Sequence, residues 1–177
     1  MTHEEYQRAA QHWQARDAAE ARMDRARLSG AIEAYIRANN TCALATGAGS
    51  FVRCTPIEYA WHDGCFWMFS EGGEKFIGLE QNPNVCLAIY DRYDGFGNLK
   101  GMQVMGTAEL IEPFSERYLA HAAFKQIPEA ALRKLAEPMN LIRVQPSRID
   151  FLNSDFRKEG FGSRQELVLQ PEEGKTR

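Results

Sequence analysis

The feature that most constrains this chain is a change of hydrophobic period at Thr41. Before it, apolar residues recur every three or four positions, as on one face of a helix. Tyr6, Ala10 and Trp13 form one stripe; Leu28, Ala31, Ile32, Tyr35 and Ile36 form a second, closed by Asn39-Asn40. Thr2 and Glu5 stand at capping-box spacing ahead of the first helix. From Thr41 on, the chain divides into short strand-like stretches at 41–47, 51–61, 65–70, 85–92, 101–111 and 139–152. His62-Asp63-Gly64 supplies a hairpin turn, because Asp-Gly tolerates the positive φ values such turns require. One short helix at 74–81, with Phe76, Ile77 and Leu79 turned inward, is stopped by Asn82-Pro83-Asn84. Two further helices are predicted at 113–124 and 128–137, and Pro146 should bend the last strand or end it at a sheet edge.

Hairpin-type links without regular β-α alternation, and no G-x-G-x-x-G after a strand, exclude a Rossmann fold. The pattern predicts a mainly β protein with flanking helices, a six-stranded antiparallel split β-barrel that closes its own edges. The nearly continuous apolar run in 85–92 predicts a central strand. The organisation expected is a helical extension at 1–40, a barrel at 41–152 and a tail at 153–177, with 171–177 disordered. The extension carries as many acids as bases through Arg37, so it suits packing on its own domain or on a partner subunit.

Composition narrows function. The chain has 177 residues, 44% of them hydrophobic, and a net charge of −3. A pI near 5.8 removes the bulk attraction that non-specific nucleic-acid binding needs. The longest apolar run, from Val85 to Tyr90, is far short of the roughly 20 residues that span a bilayer. Acids at Glu4 and Glu5, with no basic region leading into an apolar stretch, argue against a signal peptide, so a cytoplasmic protein is expected. Cys42, Cys54, Cys65 and Cys86 form no Cys-x-x-Cys pair and lie in strand-like stretches, which reads as four reduced core thiols. His3, His12, His62 and His121 do not cluster with them, so no metal site is expected, and His62 and His121 read as surface or packing residues.

Three stretches could carry chemistry. Arg53 and Thr55 on the second strand share a face and offer a guanidinium fork and a hydroxyl, suited to a phosphate or to a plain exposed surface. Phe69-Ser70-Glu71-Gly72-Gly73-Glu74-Lys75 ends a strand in a hydroxyl, passes two glycines and enters a helix with a Lys, a place where an anion or a solvated loop fits equally. Gly101 to Ala108 holds Gln103 between glycines; a flat ring could lie there, or the glycines could mark bulges in a core strand. Tyr90, Tyr93 and Phe96 make the 91–101 loop the expected mobile cover over a flat substrate.

In order, these segments resemble the pyridoxamine 5′-phosphate oxidase-like FMN-binding split-barrel proteins. The resemblance runs from about Thr41 to Asp150. It rests on Cys42-Ala43-Leu44-Ala45-Thr46, Arg53-Cys54-Thr55-Pro56-Ile57, the 63–70 hairpin strand, Lys75, Asn82-Pro83-Asn84-Val85-Cys86-Leu87, Val104-Met105-Gly106-Thr107-Ala108 and Pro146-Ser147-Arg148-Ile149-Asp150. It implies a homodimer with FMN at the subunit interface. It also implies a phosphate held by Arg53, Ser70 and Lys75, with Thr55 and the backbone of Cys54 and Pro56 near the ring. Phe69 and Gln103 complete the implied cofactor set. The tail has Phe156-Arg157-Lys158-Glu159-Gly160-Phe161-Gly162 where the oxidase has a substrate-binding Trp/Arg pattern, so pyridoxamine phosphate oxidation itself is not expected. The function expected is an FMN-dependent oxidoreductase of an unidentified small molecule. A haem-binding or haem-degrading protein, a non-catalytic flavin carrier and a deazaflavin user are the alternatives. No catalytic residue is singled out.

Overall fold

The computed structural model describes residues 1–169, so the expectation for 171–177 lies outside the described residues. In chain order the elements are α1 (His3–Asp17), α2 (Arg25–Ala38), β1 (Thr41–Ala48), β2 (Phe51–Glu58), β3 (Ala60–His62), β4 (Cys65–Ser70), α3 (Lys75–Gln81), β5 (Asn84–Tyr90), β6 (Lys100–Ile111), α4 (Glu116–Phe124), α5 (Glu129–Leu132), β7 (Asn140–Asn153) and β8 (Arg164–Val168). Short 3₁₀ turns occupy Phe96–Asn98 and Ser154–Glu159. The strands form one antiparallel sheet in the order β2-β1-β5-β6-β7-β4-β3, with β8 added to β7, and it curls into a half-barrel. No helix among the described residues is long and apolar enough to cross a membrane.

The long strands β6 and β7 are the spine. The edge of β7 facing away from β6 is divided: Asn140 to Val144 pair with β4, and Arg148 to Leu152 pair with β8. Pro146, which has no N–H to donate, stands between those two stretches. The strand therefore neither ends nor leaves a partner unsatisfied. Opposite Pro146, the register shifts between Met105 and Gly106, the bulge that the glycines foreshadow. At the hairpin, Asp63 and Gly64 have φ 52° and 67°, as a primed turn requires.

Two cores sit on the sheet. Leu44, Phe66, Leu87, Val104, Ile142 and Phe151 pack under Leu28, Ile32 and Ile36 of α2. Trp67, Ile111, Leu141 and Tyr118 form the second core, covered by α4 and α5. Consecutive residues of β4 face opposite cores, so Cys65, Phe66, Trp67 and Met68 are all buried. β5 is interior, as its apolar run predicts, between β1 and β6.

Several expectations are corrected. The 51–61 strand breaks at Tyr59, whose ring is buried and whose hydroxyl donates to the Ile36 carbonyl at 2.7 Å, pinning the chain to α2. The sheet thus has eight strands, the six expected stretches plus this division and β8. The helix expected from 113 starts at Glu116, after its N-cap Ser115, and only Glu129–Leu132 of the 128–137 stretch is regular helix. Ile77 faces solvent, because α3 presents Gly78 and Leu79 to the sheet. Cys54 is exposed on β2, so the core-thiol reading holds for Cys42 and Cys65, while Cys86 is half-buried; the four form no disulfide among the described residues.

The two ends of the described chain are stitched together. Gln165 of β8 accepts from the Met23 N–H at 3.0 Å and donates to the carbonyls of Ala21 and Gly162 at 3.2 and 2.7 Å. Arg22 and Arg25 donate to the carbonyls of Arg164 and Val168. The predicted capping box on α1 forms, with Thr2 N–H donating to Glu5 at 2.7 Å. Yet α1 buries none of its residues; its Trp13 lies under the Arg164 guanidinium at 4.5 Å.

Candidate functional site

The second strand's Arg53 and the 69–75 loop meet because α3 lies flat on β1. Gly78 makes this possible: a Cβ there would stand 3.0 Å from the Gly47 amide nitrogen and 3.1 Å from the Thr46 side chain. Asn82, which stops α3, also clamps it by donating to the Gly47 carbonyl at 2.9 Å. Thr46 is the register partner of Arg53, so both side chains leave the sheet on the face that α3 covers.

The resulting cradle holds three of the predicted residues. Ser70, buried at the end of β4, places its Oγ 3.2 Å from both the N–H and the carbonyl oxygen of Gly72. Gly72 and Gly73 have φ 140° and 107°, conformations that L side chains rarely adopt, and they fold the loop back over the start of α3. Lys75 is only 5% exposed, and its Nζ donates to the Gly72 carbonyl. Burial pushes the pKa of Lys75 down, and the charge of Arg53 pushes it further the same way. Among the described residues the ammonium makes no ion pair. Arg53 is half exposed, and its Nη1 meets Glu74 Oε2 at 2.8 Å. Beside this group, the buried Oγ1 of Thr46 has no hydrogen-bond partner among the described residues. Two cations, two hydroxyls and a glycine-lined loop therefore converge, and the exposed carboxylate of Glu74 pairs with one of the cations.

The other predicted residues lie elsewhere. Thr55 shares the Arg53 face, whereas Cys54 and Pro56 point to the opposite, outer face of the sheet. Phe69 packs edge-on against Tyr118 in the second core. Gln103, on β6, pairs laterally with Ala88 and Asp150 and is exposed. It lines a separate cavity of about 750 Å³ beneath Trp13 of α1, not the cradle. The outer face between them is a lane of mostly small side chains: Pro56, Ala43, Ala88 and Gln103 in one row, Cys54, Ala45, Cys86 and Met105 in the next.

A second polar cluster joins the hairpin to α4. His62 Nε2 lies 2.9 Å from His121 Nδ1, and His62 Nδ1 lies 2.8 Å from Asp63. Trp67 stacks on His62 at 4.8 Å, and Phe124 covers it at 4.3 Å. The packing role expected for both histidines is what the structure shows; their partnership was invisible in a sequence that separates them by 59 residues. Burial foremost, then the charges of His62 and Lys125, pull the His121 pKa down from 6.5 to about 4, against a small opposing pull from Glu58. The unfolded chain accepts this proton near pH 6.5 and the folded chain does not. The contribution of His121 to stability is thus expected to fall as pH drops from about 6.5 to about 4 and then to level, with a slope of at most about 1.4 kcal/mol per pH unit. Urea denaturation across that range checks this; His121→Asn, which keeps a polar group where Nδ1 stands, should remove the part of the slope that His121 contributes.

The family model described as pyridoxamine 5′-phosphate oxidase matches residues 28–153. No curated protein sequence matches significantly. Among solved structures, a putative pyridoxamine 5′-phosphate oxidase from Listeria innocua is 21% identical, covering 71% of this chain and 98% of its own, with a TM-score of 0.56. A FAD-binding protein from Mesorhizobium loti is 21% identical over 68% of this chain and 89% of that one, at a TM-score of 0.53. HutZ, the heme storage protein from Vibrio cholerae, is 19% identical over 71% of this chain and 91% of that one, at 0.56. At these identities the likeness is one of fold.

Proposed function

The chain belongs to the pyridoxamine 5′-phosphate oxidase family, and from that premise we propose that it is an FMN-binding flavoprotein acting as an FMN-dependent oxidoreductase on a small molecule. The observation that carries this reading is Lys75, a buried ammonium without an ion pair among the described residues, set beside Arg53. A buried cation is costly unless an anion joins it. A phosphate dianion fits the need: it can take Lys75 as a point charge, Arg53 as a fork and Ser70 as a hydroxyl donor. The unpartnered Thr46 Oγ1 beside them is a further donor. When bound, FMN supplies hydride or electron transfer at its ring. The protein's part is to hold the phosphate and position the ring, with Thr55 on the cradle side of β2.

A homodimer belongs to this reading. The lane of mostly small side chains across β2, β1, β5 and β6 gives a second copy a flat surface, and Gln103 at its far end would reach a flavin only if the site were completed across subunits. The exposed rings of Tyr90, Tyr93 and Phe96 suit a cover for a flat substrate. Reduced thiols fit a cytoplasmic setting. The haem alternative asks for an axial histidine, and His62 and His121 are committed to each other.

The deciding measurement is the visible spectrum of the purified protein, before and after incubation with FMN. Two flavin bands support the proposal and a Soret band favours haem; a protein that stays colourless after incubation sinks it. Sedimentation equilibrium should give twice the chain mass. Photoreduction followed by candidate acceptors then separates enzyme from carrier.

A further inference from the structure

Arg53 and Lys75 are not equivalent cations. Lys75 is buried and fixed on the Gly72 carbonyl. Arg53 is 51% exposed and is held by Glu74, itself 59% exposed, at 2.8 Å. Glu74 precedes α3 directly, and its side chain makes no capping hydrogen bond to the helix, so among the described residues it is Arg53 that fixes it. An exposed pair of this kind shifts an equilibrium by about five-fold at most.

We propose that Glu74 is a resident counter-anion of the cradle: it occupies the Arg53 fork until a phosphate ester displaces it, and so sets how strongly the site prefers a phosphorylated flavin to an unphosphorylated one. With Glu74 in place, Arg53, Lys75 and Glu74 together carry a single positive charge. A monoanion gains little by competing for Arg53 against a carboxylate already tethered there. A dianionic phosphate meets Lys75 and Arg53 together and moves Glu74 out to solvent, where its exposure shows that it has room. Glu74 thereby lowers affinity for any anion that uses the Arg53 fork and leaves the affinity for an unphosphorylated flavin as it is. The inference rests on the flavin reading of the cradle.

The test titrates flavin-free protein with FMN and with riboflavin by quenching of flavin fluorescence, and uses inorganic phosphate as competitor. Glu74→Gln should tighten FMN binding about two- to five-fold, leave riboflavin unchanged, and make inorganic phosphate a stronger competitor. The gain should shrink as salt rises, because an exposed charge is screened. Unchanged or weaker FMN binding in Glu74→Gln overturns the role of Glu74. Arg53→Ala separates this from the broader reading. If it weakens FMN but not riboflavin while Glu74→Gln does nothing, only the counter-anion role falls. If it leaves the affinities for FMN and for riboflavin both unchanged, the cradle is not the phosphate site and both fall.

Discussion

Replacing Arg53 and Lys75 together by Ala is expected to weaken FMN binding by about 10²- to 10⁴-fold while riboflavin affinity barely changes. Each residue would give the phosphate a charge-assisted hydrogen bond, worth about 1.5–3 kcal/mol. Two such bonds make roughly 3–6 kcal/mol, and 1.4 kcal/mol is about a factor of ten. Riboflavin has the same ring and no phosphate, so it isolates the cradle from the ring site. Lys75 is buried, and truncating it to Ala would also open a cavity. Lys75→Met keeps the stem volume and removes the charge, so its effect on FMN should persist with the fold intact. An equal loss for both flavins would mean that the variants had damaged the fold, and no loss would place the phosphate elsewhere.

Gly106→Ala is expected to cost about 2–3 kcal/mol, a fall in midpoint of roughly 4–12 °C. A Cβ at this position would stand 2.5 Å from the Gln145 carbonyl oxygen and 2.9 Å from a methyl of Val144. The first is backbone of the neighbouring strand at the bulge, so relief requires β6 and β7 to part where they cross Pro146. Gly30→Ala is the contrasting control. It lies inside α2 with nothing within 4 Å of a new Cβ, and should stabilise by about 0.5–1 kcal/mol through backbone entropy alone. Thermal unfolding of the two variants checks both signs.

Local chemistry was legible in the sequence and distant pairing was not. The capping box of Thr2 and Glu5, the Asp63-Gly64 turn and the glycine bulge each depend on residues within a few positions, and each formed. Tyr59 read as one more strand residue, because its anchor, the Ile36 carbonyl, belongs to a helix end that no strand periodicity reveals. Arg164 to Val168 alternates weakly, and its charged residues made a tail the natural reading; Gln165 and Leu167 are buried only because α2 and β7 meet there. At the site, Arg53, Ser70 and Lys75 could be named from residue type and order, but Gly78, which lets α3 settle on β1, gave no sign of that role. Thr46 and Glu74 likewise acquire meaning only from register and loop path.

The stitching of Gln165 to the stretch before α2 bears on what counts as the folding unit. The family's shared span, 28–153, stops short of both sides of that seam. A fragment cut to the shared span would keep every strand except β8, yet it would strip Leu167 and Phe156 from the core and expose the Arg148 to Leu152 edge of β7. The matched span is thus not the whole folding unit of this protein: its barrel is finished by the segments on either side, and the Gln165 seam ties the two together.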